Sequence, residues 1–123
     1  MEEKLGKITI APQVLLTIVR LTALATPGVV SLSHSVSGNV SRLLRRQALD
    51  EGIKLRIEDD VVYTDLYVIV EPSVNLLELG RQVQHDTTRA INEMLGMHVG
   101  EVNVHIQDVV HPTLDHRPEE EVG

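Results

Sequence analysis

The sequence predicts an α+β domain: two amphipathic helices on one face of a small, mostly antiparallel sheet, in the order β-α-β-β-β-α-β. Three patterns predict it. Two stretches of helical length repeat apolar residues at spacings of three and four. Several shorter runs alternate apolar and polar residues, the period of a half-buried strand. An acidic pair, Asp59 and Asp60, separates two of those runs as a hairpin turn would. A chain of 123 residues fits one domain, expected over 1–110, with 111–123 as an acidic tail predicted to be disordered.

The elements follow in order. The Gly-Lys-Ile-Thr-Ile stretch at 6–10 alternates and reads as a first short strand. Pro12 sits where a first helix can begin, and Val14, Leu15, Ile18, Leu21, Thr22 and Ala25 are predicted to be its buried stripe. Thr26, Pro27 and Gly28 end it, and 29–32 reads as a strand. Small polar residues at 33–41 predict a mobile loop, and 41–49 one or two helical turns before Gly52. Ile53, Leu55 and Ile57 alternate with Lys54, Arg56 and Glu58 as a strand with one wet face. After the turn, a strand over 61–71 places Leu66, Val68 and Val70 on one side and Asp65, Tyr67 and Ile69 on the other. Asn75 followed by Glu78 is a capping pattern for a second helix. Leu76, Leu79, Val83, Thr87, Ala90, Ile91, Met94 and Leu95 are its expected stripe, and Gly96 its stop. A last strand over 99–110 turns Val102, Val104 and Ile106 one way and Asn103, His105 and Gln107 the other.

Composition narrows the function classes. Net charge is −7, which disfavours a nucleic-acid partner because phosphate binding rests on clustered Lys and Arg. The chain has no cysteine, so disulfides, thiolate metal sites and a cysteine nucleophile are excluded. It has no Phe or Trp, and its only aromatic rings besides histidine are Tyr63 and Tyr67. The core must therefore be built from Val, Leu and Ile. No apolar run approaches membrane-spanning length and the charged start lacks a signal-peptide pattern, so the expectation is a cytoplasmic protein without direct membrane insertion.

Chemistry-bearing residues do not assemble into a recognisable site. Six histidines occur without a His-x-His spacing, and no metal or other cofactor is expected. Asp59 and Asp60 would point to opposite faces if they lay in a strand, and at a hairpin tip they serve the turn instead. Asp65 and His105 are candidates for an acid–histidine pair across the sheet, but no nucleophile elbow or phosphate loop accompanies them. The expectation is a protein that binds rather than one that catalyses. Arg42, Arg45 and Arg46 share a face if helical and form the basic cluster that an anionic partner could use. They support an alternative reading as a nucleic-acid-associated regulator. Tyr63, Tyr67 and Ile69 give the second face of the sheet an apolar character suited to assembly.

The chain also resembles a known family. The features are the 6–10 stretch with the helix around Val14 and Leu15, then Pro27, Gly28 and Val29. Glu-Gly-Ile-Lys-Leu at 51–55, the long strand at 61–70, Ile-Asn-Glu-Met-Leu-Gly at 91–96 and Val-Gly-Glu-Val-Asn-Val-His-Ile at 99–106 follow. In this order they resemble the alkaline-shock-protein family, also called the envelope stress response family, of bacteria. Glu71 with Pro72 and Leu95 before Gly96 depart from the family's common Tyr-Gly and Met-Thr-Gly. The resemblance implies a non-enzymatic cytosolic protein tied to the cell envelope. It further implies action through self-association or a membrane-anchored protein partner.

Overall fold

A computed structural model describes residues 4–33, 47–50 (backbone only), 52–72 and 75–111. Helix α1 spans Pro12–Ala25, followed by strands β1 (Val29–Leu32), β2 (Gln47–Asp50), β3 (Ile53–Glu58) and β4 (Val61–Val70). Helix α2 spans Leu76–Ala90 and continues into a π-helical turn, Ile91–Leu95, before strand β5 (His98–Val109). The predicted α+β class holds: two helices cover one face of a sheet with three antiparallel pairings and one parallel pairing.

Strand β4 organises the sheet. β5 runs parallel along its whole length on one side. On the other side β3 pairs with its first half and β1 with its end, both antiparallel. The two meet at Tyr67, whose N–H donates to the Gly52 carbonyl and whose carbonyl accepts from Ser33 N–H, each at 2.8 Å. Gly52 has φ +75°, and a Cβ there would stand 2.7 Å from Leu32 Cβ and 2.8 Å from the Ser33 carbonyl oxygen. Only glycine tolerates both that backbone and that approach. The β3–β4 turn puts Asp59 at φ 52° and Asp60 at φ 66°. Paired left-handed residues are the two-residue geometry that matches strand twist, and aspartate adopts it more readily than most side chains.

Val62, Leu66, Val68 and Val70 of β4 are buried against Leu15, Val19 and Ala23 of α1 and Leu79, Val83 and Ile91 around α2. Asn75 caps α2 as its position suggests, its Oδ1 accepting from Glu78 N–H at 3.0 Å. Gly96 ends the π turn at φ 68°.

Four expectations are corrected. Residues 6–10 form no strand: Gly6 turns the backbone at φ +107°, and the segment pairs with no sheet edge among the described residues. Of the helical turns expected over 41–49, residues 47–49 instead belong to the edge strand Gln47–Asp50 paired with β3; 41–46 lie outside the described residues. In α1 the buried positions are Leu15, Leu16, Val19 and Ala23, so Val14, Leu21 and Ala25 face outward. That helix is apolar almost all round, and spacing alone cannot choose which stripe turns inward. In the second helix Leu76 is exposed at the first turn, and Met94 is exposed because the wider π turn rotates it off the stripe that Leu79, Val83, Thr87 and Ile91 keep. The predicted loop at 34–41 and tail beyond 111 also lie outside the described residues.

Two substitutions test this packing. Gly52→Ala is expected to destabilise the fold by about 1–3 kcal/mol in a denaturant titration, because it strains the backbone and collides with β1. Thr87 is fully buried and its hydroxyl has no hydrogen-bond partner among the described residues. Thr87→Val keeps the shape and removes that orphaned group, so a gain of about 1 kcal/mol is expected from the same titration.

Candidate interaction surfaces

The face of the sheet turned away from the helices carries Val61, Tyr63, Asp65, Tyr67 and Ile69 from β4, all half-buried. Register sets their neighbours. Tyr63 lies opposite Arg56 on β3 and Glu101 on β5, and Asp65 opposite Lys54 and Asn103. Tyr67 lies opposite His105, and Ile69 opposite Ser31 and Asp108.

These side chains engage one another. The Arg56 guanidinium sits 4.2 Å from the Tyr63 ring centroid and pairs with Glu58 at 2.8 Å. Tyr67 and His105 stack with centroids 4.5 Å apart and planes at 13°, and Lys54 Nζ lies 5.7 Å from the Tyr67 centroid. His105 Nε2 lies 3.1 Å from Asp65 Oδ1, so the acid–histidine pair read from the sequence does form. The two cation–π contacts, at exposed sites, contribute about 0.5–1 kcal/mol each and bias the rings toward these positions. A shallow polar recess of about 90 Å³ lies among Lys54, Arg56, Tyr63, Asp65, Glu101 and Asn103.

Gly100 explains the pose of Tyr63. The register between β4 and β5 slips after Val99, leaving Gly100 as the extra residue of a bulge. The Tyr63 ring occupies the space a Cβ on Gly100 would need.

A second surface lies along the N-terminal segment and α1. Among the described residues ten large apolar side chains are exposed, and six of them lie within 5–24: Leu5, Ile8, Ile10, Val14, Leu21 and Leu24. Leu5 is 87% exposed, Ile8 93% and Leu21 59%. The signal was available. Arg20 is the single charged residue of α1, whereas a helix with one face in water ordinarily carries charge along it. Arg42, Arg45 and Arg46 lie outside the described residues. Among the described residues no group of three or more His, Asp or Glu could hold a metal ion, and no helix is long and apolar enough to cross a membrane.

Residues 1–111 match the model of the alkaline shock protein 23 family, described by a cell envelope-related function. The chain belongs to that family. Its similarity extends to Bacillus subtilis YloU, an uncharacterized protein, at 25% identity over 108 residues, covering 86% of this chain and 90% of the relative. Streptococcus pyogenes Spy1614, also uncharacterized, is 25% identical over 106 residues, covering 85% and 88% respectively. Among solved structures, the fold is similar to MamM CTD variants; one, at TM-score 0.51 and 12% identity, covers 81% of this chain and all of the other. At that identity the likeness speaks for the fold alone. The alkaline-shock resemblance read from the sequence is thus the family the chain belongs to.

Gly100→Val is expected to push the Tyr63 ring aside and separate it from Arg56. The ring-current shift on the Arg56 side-chain protons in NMR spectra should then vanish. An unchanged Arg56 shift would show that the glycine does not position the ring.

Proposed function

We propose that this alkaline-shock-family protein is a non-catalytic assembly module with a role at the cell envelope. It self-associates through the apolar surface of residues 5–24 and docks a membrane-anchored protein through its open sheet face. The observation that carries the reading is the concentration of exposed Leu, Ile and Val in 5–24. Large apolar side chains left exposed together in one stretch of chain mark a candidate interaction site. Each such side chain gains about 1.5–3 kcal/mol when fully covered, so a few of them suffice to hold copies together.

The open face suits a partner protein for a different reason. Tyrosine and arginine are the residues that most often anchor protein interfaces, and here they are pre-ordered by the contacts of Arg56 with Tyr63 and His105 with Tyr67. The same contacts argue against base stacking, since one ring is covered by a guanidinium and the other by an imidazole. The nucleic-acid alternative then rests on Arg42, Arg45 and Arg46 alone.

Sedimentation of the full chain tests the assembly. The wild type is expected to form oligomers at micromolar concentration, and the Leu21→Glu, Leu24→Glu double variant to sediment as a monomer with unchanged circular dichroism. A wild type that stays monomeric at high concentration would sink the reading. For the open face, the Tyr63→Ala, Tyr67→Ala variant should keep its oligomeric state. It should lose the membrane-fraction protein that the wild type captures from its host.

A further inference from the structure

The N-terminal segment and one edge of the sheet fit each other. Residues 7–11 have the alternation of a strand, with Ile8 and Ile10 on one side, yet they pair with no strand among the described residues and Ile8 is almost wholly exposed. Strand β5 forms an edge of the sheet, with β4 as its one strand neighbour among the described residues. Its two register slips, after Val99 and after Ile106, leave a regular run of six residues at 101–106. A strand edge of that length with no second strand neighbour among the described residues is a template for a strand from elsewhere, although Gln84 already occupies the Val102 carbonyl.

Beside that run lies an apolar groove of about 410 Å³ between β5 and the first turns of α2. Leu76, Leu77, Gly80, Val104 and Ile106 line it together with Arg81 and Gln84. Leu76 and Leu77 are exposed, and a Cβ on Gly80 would meet nothing within 4 Å, so the groove is open where a helix would normally present a side chain. Gln84 Nε2 donates to the Val102 carbonyl at 3.0 Å and fixes the spacing between helix and strand. A strand added to β5 would turn alternate side chains towards this groove, the way an extended peptide is held between a sheet edge and a helix.

Charge selects the occupant. Residues 1–49 carry six Lys or Arg against two acids, Glu2 and Glu3, whereas 50–123 carry 16 acidic against five basic residues. Within that division the segment 4–11 holds Lys4 and Lys7 and no acid, while β5 holds Glu101 and Asp108 and no Lys or Arg. The first 49 residues of one copy are therefore net positive and the remainder of another net negative, with Arg81 the one cation lining the groove.

We propose that residues 7–11 of one copy add as a strand to the free edge of β5 in a second copy, with Ile8 and Ile10 seated in the groove beside Gly80. This deepens the self-association argued above, on which it rests, by naming what the N-terminal surface docks on. Donor and acceptor are different surfaces, so the contact is heterologous and each copy presents one of each.

Two variants of the full chain test it by complementation. Ile8→Glu spoils the donor at a residue almost wholly exposed in the single chain. Gly80→Leu fills the acceptor groove and favours the helix, since glycine is a poor helix former. Each variant alone should self-associate at least about tenfold more weakly than the wild type, as loss of an interface anchor does. An equimolar mixture should regain association, because the first keeps a good groove and the second a good segment. Since the chain lacks cysteine, Ile8→Cys on one copy and Leu77→Cys on another should also form a disulfide between copies under mild oxidation. Wild-type association by both variants, together with loss in Leu21→Glu, Leu24→Glu, would overturn the strand exchange and leave the assembly reading standing. A monomeric wild type would remove both. A disulfide that forms only within a doubly substituted chain would place the segment on its own groove and also overturn the proposal.

Discussion

The alternation along β4 is the constraint on which the rest of this molecule depends. Ten consecutive residues hand Val62, Thr64, Leu66, Val68 and Val70 to the helices and leave Val61, Tyr63, Asp65, Tyr67 and Ile69 on the open side. A slip of one residue would bury Asp65 and both tyrosines and expel the core. The strand is held in place from both sides. β5 follows its full length, and β3 and β1 divide the other side between them with Gly52 at the join. Thr64 is the polar member of the buried set, and its hydroxyl donates to the Lys54 carbonyl at 2.9 Å. A core without Phe or Trp is thus organised by backbone pairing and many small aliphatic contacts rather than by one large anchor.

From that register the open face follows directly. Cross-strand neighbours fix Arg56 beside Tyr63 and His105 beside Tyr67, and the bulge at Gly100 gives the Tyr63 ring its room. The free edge of β5 follows too, since among the described residues it pairs with β4 on one side alone. The apolar outer side of α1 has a separate origin. The helix is rich enough in Leu, Ile and Val to satisfy the core with one stripe and still present another.

Much of this was legible in the sequence, for identifiable reasons. Strands β3 and β4 and their turn were legible because period-two alternation and an Asp pair are local signals. Helix α2 was legible because it has one apolar stripe, a cap and a stop. The Asp65–His105 contact was legible from the facing of each strand. What was not legible depended on partners. Residues 6–10 have a strand's pattern, but a strand exists only against an edge. Gln47–Asp50 has little pattern, but β3 offers it an edge and it takes one. The orientation of α1 could not be chosen by spacing, since either stripe is apolar. In the last two cases tertiary context decided between local options that the sequence leaves nearly equal.

The segment 6–10 and the outer stripe of α1 carry one message. Sequence patterns suited to burial stand exposed in the single chain, as the proposed assembly of copies requires. Hydrogen exchange measured against protein concentration tests this most directly. The account predicts that amides of residues 8–10 and of the β5 edge exchange freely in dilute protein and become protected together as concentration rises. Free exchange of residues 8–10 at every concentration, in a protein that nonetheless assembles, would contradict it.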